Sequence, residues 1–98
     1  MNKQTVIELL KQHQEELKAL GIEHLSLFGS IARSEEGPDS DIDLAAKFDR
    51  NANIGMLEFV AVHEKLKDLL DHPVDLVSEP ARKPRIQLEI DRDRVDAF

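Results

Sequence analysis

The chain has 98 residues, 41% of them hydrophobic, and a formal charge of −7. That length allows one small domain over residues 1–98 with a modest core, and leaves no room for a second domain to grip a large substrate. The absence of cysteine excludes disulfides and thiolate metal sites, and the acidic balance argues against a nucleic-acid backbone as the main partner.

No apolar run has the length of a signal peptide or a membrane span, so a cytoplasmic protein with no membrane contact is expected. The charge is uneven. Residues 1–78 hold 15 acidic and 8 basic side chains, whereas residues 79–98 hold five of each.

Val6, Leu9, Leu10, Leu17 and Leu20 recur at helical spacing, with lysines and glutamates opposite. They predict one helix over 3–19, begun at Asn2 or Thr5 and ended at Gly21. His24 to Phe28 is a short apolar run between glycines and reads as a buried strand. Gly29-Ser30 follows it and opens a short helical turn, and Gly37-Pro38-Asp39-Ser40 is a strong turn signal. Asp41 to Phe48 alternates as a second strand. Ile42, Leu44, Ala46 and Phe48 face the core, and Asp41, Asp43, Ala45 and Lys47 face away.

A second long helix is expected over 54–70, closed by Asp71-His72-Pro73. Val74 to Val77 is a third strand, with Val74 and Leu76 inward and Asp75 outward. A final helix is expected over 85–92, with Ile86 and Ile90 four apart. The order α-β-β-α-β-α describes an α+β domain, a small mixed sheet with helices packed mainly on one face.

Asp41, Asp43 and Asp75 thus share a description: carboxylates on strands, aimed away from the core. The intervening helix is long enough to bring the two strands side by side. Clustered carboxylates repel, and a divalent cation relieves the repulsion. Oxygen ligands suit Mg²⁺ or Mn²⁺. Gly29 has no side chain to keep a phosphate from backbone N–H groups, and the Ser30 hydroxyl can donate to phosphate oxygen. Phosphate on one side and metal on the other equip a site for phosphoryl or nucleotidyl transfer.

Ten residues separate Gly29-Ser30 from Asp41-Ile42-Asp43. Gly-Ser, ten residues, Asp-x-Asp resembles the signature of the DNA polymerase beta-like nucleotidyltransferases. The wider run from Leu27 through Ala32-Arg33 to Leu44, with Val74-Asp75-Leu76-Val77, resembles their minimal nucleotidyltransferase (MNT) branch. The resemblance spans roughly residues 20–80. It implies the nucleotidyltransferase fold, ATP with Mg²⁺ (or Mn²⁺), metal-holding roles for Asp41 and Asp43, and a ligand and general-base role for Asp75. It also implies an antitoxin that adenylylates a tyrosine of a HEPN-domain RNase toxin. The chain has no tyrosine, so a tyrosine acceptor must lie in another chain. Two alternatives stand beside this one: an antitoxin that acts by steric binding without catalysis, and a nucleotidyltransferase for a small-molecule acceptor.

Arg33 either binds triphosphate, as the motif match implies, or pairs with Glu35, Glu36 or Asp39. His13 and His63 lie on helix stripes as half-buried packing residues, and His72 is a turn residue. The basic loop Arg82-Lys83-Pro84-Arg85 either carries solvated charge or docks an acidic surface.

Overall fold

A computed structural model describes all 98 residues. Asn2 caps the first helix, its Oδ1 accepting from the Thr5 N–H at 2.9 Å. The stretch expected to be one helix forms two, α1 (Lys3–Gln12) and α2 (Gln14–Ala19), broken at His13 with φ −106° and ψ 18°. The hydrogen bonds His13 N–H to Leu9 O and Leu17 N–H to His13 O bridge the break. Val6, Leu10 and Leu17 are all fully buried across it. The apolar stripe therefore survives the kink, because packing rather than the helical ladder holds this segment.

Gly21, at φ 103°, turns the chain into β1 (Ile22–Phe28), and α3 (Gly29–Ala32) is the short turn expected after it. Next come β2 (Ile42–Phe48) and α4 (Met56–Leu70). The start of α4 is capped by Glu58, whose Oε1 accepts from the Gly55 N–H at 2.7 Å. Then follow β3 (Val74–Ser78), α5 (Pro84–Asp93) and β4 (Val95–Asp96). The two-residue β4 is an element beyond those expected from the sequence.

The four strands form one mixed sheet in the order β3-β2-β1-β4. β1 lies antiparallel to β2 and β4, while β2 and β3 run parallel. A parallel neighbour requires a crossover, which α4 supplies. The alternation of β2 is as expected: Ile42, Leu44 and Ala46 join the main core with Leu25, Leu27, Val74 and Leu76. Val6, Leu10 and Leu17 from α1 and α2, and Val62, Leu66 and Leu70 from α4, close that face. Burying each such leucine or valine contributes about 1.5–3 kcal/mol.

The opposite face carries a smaller cluster, Phe28, Ala45 and Ile90, flanked by Val77 and Ile86. Helices α1, α2 and α4 therefore cover one face, with Ile31 and Ala32 of α3 joining the same core, and α5 alone crosses the other. A polar network ties α5 and β4 to that second face. Arg94 donates from Nη1 to the Oγ of buried Ser26 (2.9 Å) and from Nη2 to Glu79 Oε2 (2.6 Å). Ser26 Oγ in turn donates to Asp96 Oδ1 at 3.0 Å. No helix is long and apolar enough to cross a membrane.

Candidate active site

α5 covers only part of the second face. Beside it a cleft of about 360 Å³ opens at one end of β1, β2 and β3, within the range of small-molecule sites. Its walls include Gly29, Ser30, Arg33, Asp43, Asp75, Glu89 and Arg92, over a floor of Phe28, Val77 and Ile86. Five of the six candidate residues read from the sequence therefore share one cavity.

Backbone register brings them together. Asp43 pairs with Asp75 across the parallel β2–β3 ladder and with Phe28 across the antiparallel β1–β2 ladder. Parallel neighbours in register point to the same face, so the two carboxylates stand side by side. Gly29 comes directly after Phe28 at φ 79°. A Cβ at residue 29 would overlap Oδ2 of Asp43 and lie 3.0 Å from its Cγ. Only glycine allows the chain at residue 29 to come this close to the carboxylate. Ser30 Oγ makes no hydrogen bond within the chain and is free to meet a ligand.

Asp43 is half-buried, and its charge is poorly compensated. Burial, followed by the charges of Asp75, Asp41 and Glu89, pushes its pKa from 3.8 up to about 6, with Arg33 opposing. Asp43 and Asp75 are in no ion pair. Asp41 stands apart. It is exposed, precedes β2, and is absent from the cleft wall, although its charge still acts on Asp43.

The segment carrying Asp41 is nevertheless fixed. His72 Nε2–H donates to the Ser40 carbonyl at 2.8 Å, and the Ile42 N–H donates to Pro73 O at 3.0 Å. His72, read from the sequence as a turn residue, thus pins the residue before Asp41. His63 is half-buried as expected and donates from Nε2 to Val74 O at the start of β3.

Arg33 lines the cleft and is ion-paired as well. Its Nε donates to Glu35 at 3.1 Å and its Nη1 to Asp93 at 2.6 Å. Asp93 lies 60 residues along the chain and was missed by the sequence reading, as were Glu89 and Arg92. The one available signal was the spacing Ile86, Glu89, Arg92, which puts all three on one face of a helix.

The donor set fits a hard divalent cation: carboxylate oxygens only, one of them carrying a charge that its surroundings oppose. Asp43 and Asp75 would hold the ion, with Asp41 at the rim. No three acidic or histidine side chains form a ready-made cage.

Residues 4–95 match the family model described as polymerase beta, nucleotidyltransferase. The chain is 33% identical over 88 residues to the protein adenylyltransferase MntA of Thermococcus cleftensis, covering 89% of this chain and 87% of that protein. Among solved structures, a candidate minimal nucleotidyltransferase superposes with a TM-score of 0.70 at 29% identity, covering 97% of this chain and 95% of the other. An MNT antitoxin in complex with a tri-AMPylated HEPN toxin of Shewanella oneidensis superposes with a TM-score of 0.67. At 19% identity, over 94% of this chain and 71% of that one, the likeness is one of fold.

Proposed function

The chain belongs to the polymerase beta nucleotidyltransferase family, and on that footing we propose that it transfers AMP from ATP to a protein acceptor. The observation that carries this reading is the in-register pair Asp43 and Asp75 facing Gly29 and Ser30 in one cleft. The acceptor class is supported by MntA, a protein adenylyltransferase related over most of both chains. A HEPN-type toxin partner is supported by the resemblance of the motifs and by the fold shared with the Shewanella antitoxin. The chain itself is then the antitoxin.

In this mechanism Gly29 leaves room for the phosphates to reach the backbone, and Ser30 Oγ and Arg33 donate to their oxygens. Asp43 and Asp75, with Asp41 at the rim, would hold Mg²⁺, which when bound neutralises charge on the transferred group. Asp75 accepts the proton of the acceptor hydroxyl. That oxygen bonds to the α-phosphorus, and the bond from the α-phosphorus to the bridging oxygen of pyrophosphate breaks. Pyrophosphate leaves, and AMP remains on the acceptor. No tyrosine is present in this chain, so a tyrosine acceptor belongs to the partner.

The test uses ATP labelled at the α-phosphate, Mg²⁺, the protein and a lysate of the cells that encode it, beside the D41A/D43A variant. A labelled protein band that requires the wild-type carboxylates is the expected result. Absence of label on any macromolecule, with ATP still bound, overturns protein adenylylation.

A further inference from the structure

Asp93 lies at the end of α5 with its side chain only 3% exposed, yet it holds two arginines that reach the cleft. Arg33 donates to it from Nη1 at 2.6 Å. Arg92 grips it in a fork, Nε to Oδ1 at 2.9 Å and Nη2 to Oδ2 at 3.1 Å. Two guanidiniums therefore share one buried carboxylate, while Arg33 also donates from Nε to the exposed Glu35 at 3.1 Å. Arg33 Nη2 and Arg92 Nη1 make no hydrogen bond within the chain.

These are the only cationic side chains that line the cleft. Transfer of AMP places the α-phosphate against Asp43 and Asp75, and the remaining two phosphates need cationic cover close by. A free arginine in this cleft has an alternative: collapse onto the unpaired carboxylates Asp43, Asp75 and Glu89. Arg92 is the more exposed to that outcome, being one helical turn from Glu89. Asp93 prevents it by fixing the Arg92 plane and, together with Glu35, that of Arg33. Because an arginine fork is planar and directional, fixing it also sets where the remaining N–H groups point.

Resting on the nucleotidyl-transfer reading above, we propose that Asp93 is a positioning residue that holds Arg33 and Arg92 as a paired clamp, and that Arg92 contacts the phosphates beyond the α position. The clamp distinguishes ATP from AMP, because AMP has no phosphate for it to grip.

The experiment is calorimetric titration of the full-length protein with ATP and with AMP in Mg²⁺, for wild type, R92Q and D93N. Thermal melts of each variant run alongside. The expected result is about tenfold weaker ATP binding in R92Q, the loss of one charge-assisted contact, with AMP binding within about twofold of wild type. D93N shows the same selective loss, which a merely structural role would not produce. R92Q decides the case even if D93N fails to fold, since the Arg92 side chain is 63% exposed. Unchanged ATP binding in R92Q overturns the clamp and leaves the nucleotide reading standing. Equal loss of ATP and AMP in R92Q also overturns the clamp. Failure of the wild type to bind any nucleotide overturns both.

Discussion

Gly29 and Asp43 stand so close that no side chain fits between them. A Cβ at residue 29 would overlap Asp43 Oδ2 and lie 3.2 Å from Asp43 Cβ, and the backbone there is at φ 79°. G29A therefore strains the loop and displaces the carboxylate together. Shifting a reacting group by about 1 Å costs about a hundredfold in rate, so transfer falls by at least that factor. The melting temperature drops by about 5–10 °C, which corresponds to about 1–2 kcal/mol in a domain of this size. Gly37, whose Cβ would meet nothing within 4 Å, supplies the control. G37A keeps wild-type rate and stability, and equal losses in the two variants would refute the steric argument.

Asp43 is expected to be a source of instability that function requires. Its pKa is raised from 3.8 to about 6 by burial and by Asp75, Asp41 and Glu89. The sign follows from the direction. The folded state binds the proton more tightly, so stability from this group is full below pH 3.8 and is lost as pH rises through 6. D43N removes the charge. In chelator at pH 7.5 it melts higher than wild type, by about 1–2 kcal/mol, while transfer is abolished. The difference vanishes below about pH 4, where both proteins are neutral at this position. Mg²⁺ at pH 7.5 raises the wild-type melting temperature more than that of D43N. Calorimetric melts over this pH range check every part of the prediction, and a wild type more stable than D43N at pH 7.5 in chelator would contradict it.

The parts of this site that were legible in the sequence are those encoded by local spacing. Strand alternation put Asp43 and Asp75 on the face away from the core, and Gly-Ser after an apolar strand marked the short helical turn, though not the contact of Gly29 with Asp43. What was illegible depends on pairings distant in the chain. Asp93 meets Arg33 across 60 residues, and no pattern near either residue foretells it. β4 spans two residues, too short for any alternation to show. The break at His13 was hidden because the apolar stripe continues through it. α5 read correctly as a helix, but its period could not say which face of the sheet it would cover. That choice brought Glu89 and Arg92 into the cleft.

Asp93 also has a consequence for stability against acid. Hydrogen bonds from Arg92, then Arg33, hold its carboxyl down to about 2 from the usual 3.8. A depressed carboxylate stabilises the fold above pH 3.8 and loses that contribution as pH falls through 2. D93N is therefore less stable than wild type at pH 6, by about 1–2 kcal/mol, the scale of hydrogen bonds to charged groups. The gap narrows between about pH 4 and pH 2 as the wild-type carboxylate is neutralised. Urea titrations at pH 6, 4 and 2.5 measure it. A gap that stays constant over that range would mean that the two arginines do not hold Asp93 in solution.

The pair Glu79 and Arg94 anchors the other end of the second face. Arg94 Nη1 and Nη2 donate to Glu79 Oε1 and Oε2 at 3.0 and 2.6 Å, and Nη1 also reaches the buried Ser26 hydroxyl. The Glu79 side chain is only 10% exposed, so removing Arg94 leaves a carboxylate with one remaining donor, Gln87 Nε2 at 3.0 Å, and little water to replace the lost bonds. R94A is expected to cost about 2–4 kcal/mol. The Glu79 carboxyl, now held below its ordinary pKa chiefly by Arg94, loses that support. The double variant E79Q/R94M removes the stranded charge and fills the space with an unbranched side chain. It recovers a substantial part of the loss, because a buried ion pair is worth far less than the cost of breaking one side of it. A double-mutant cycle of E79Q, R94M and E79Q/R94M by urea denaturation gives the coupling directly. If the losses of E79Q and R94M simply add in the double variant, Glu79 and Arg94 act independently and the anchoring of β4 rests on its pairing with β1 and on the Ser26–Asp96 bond.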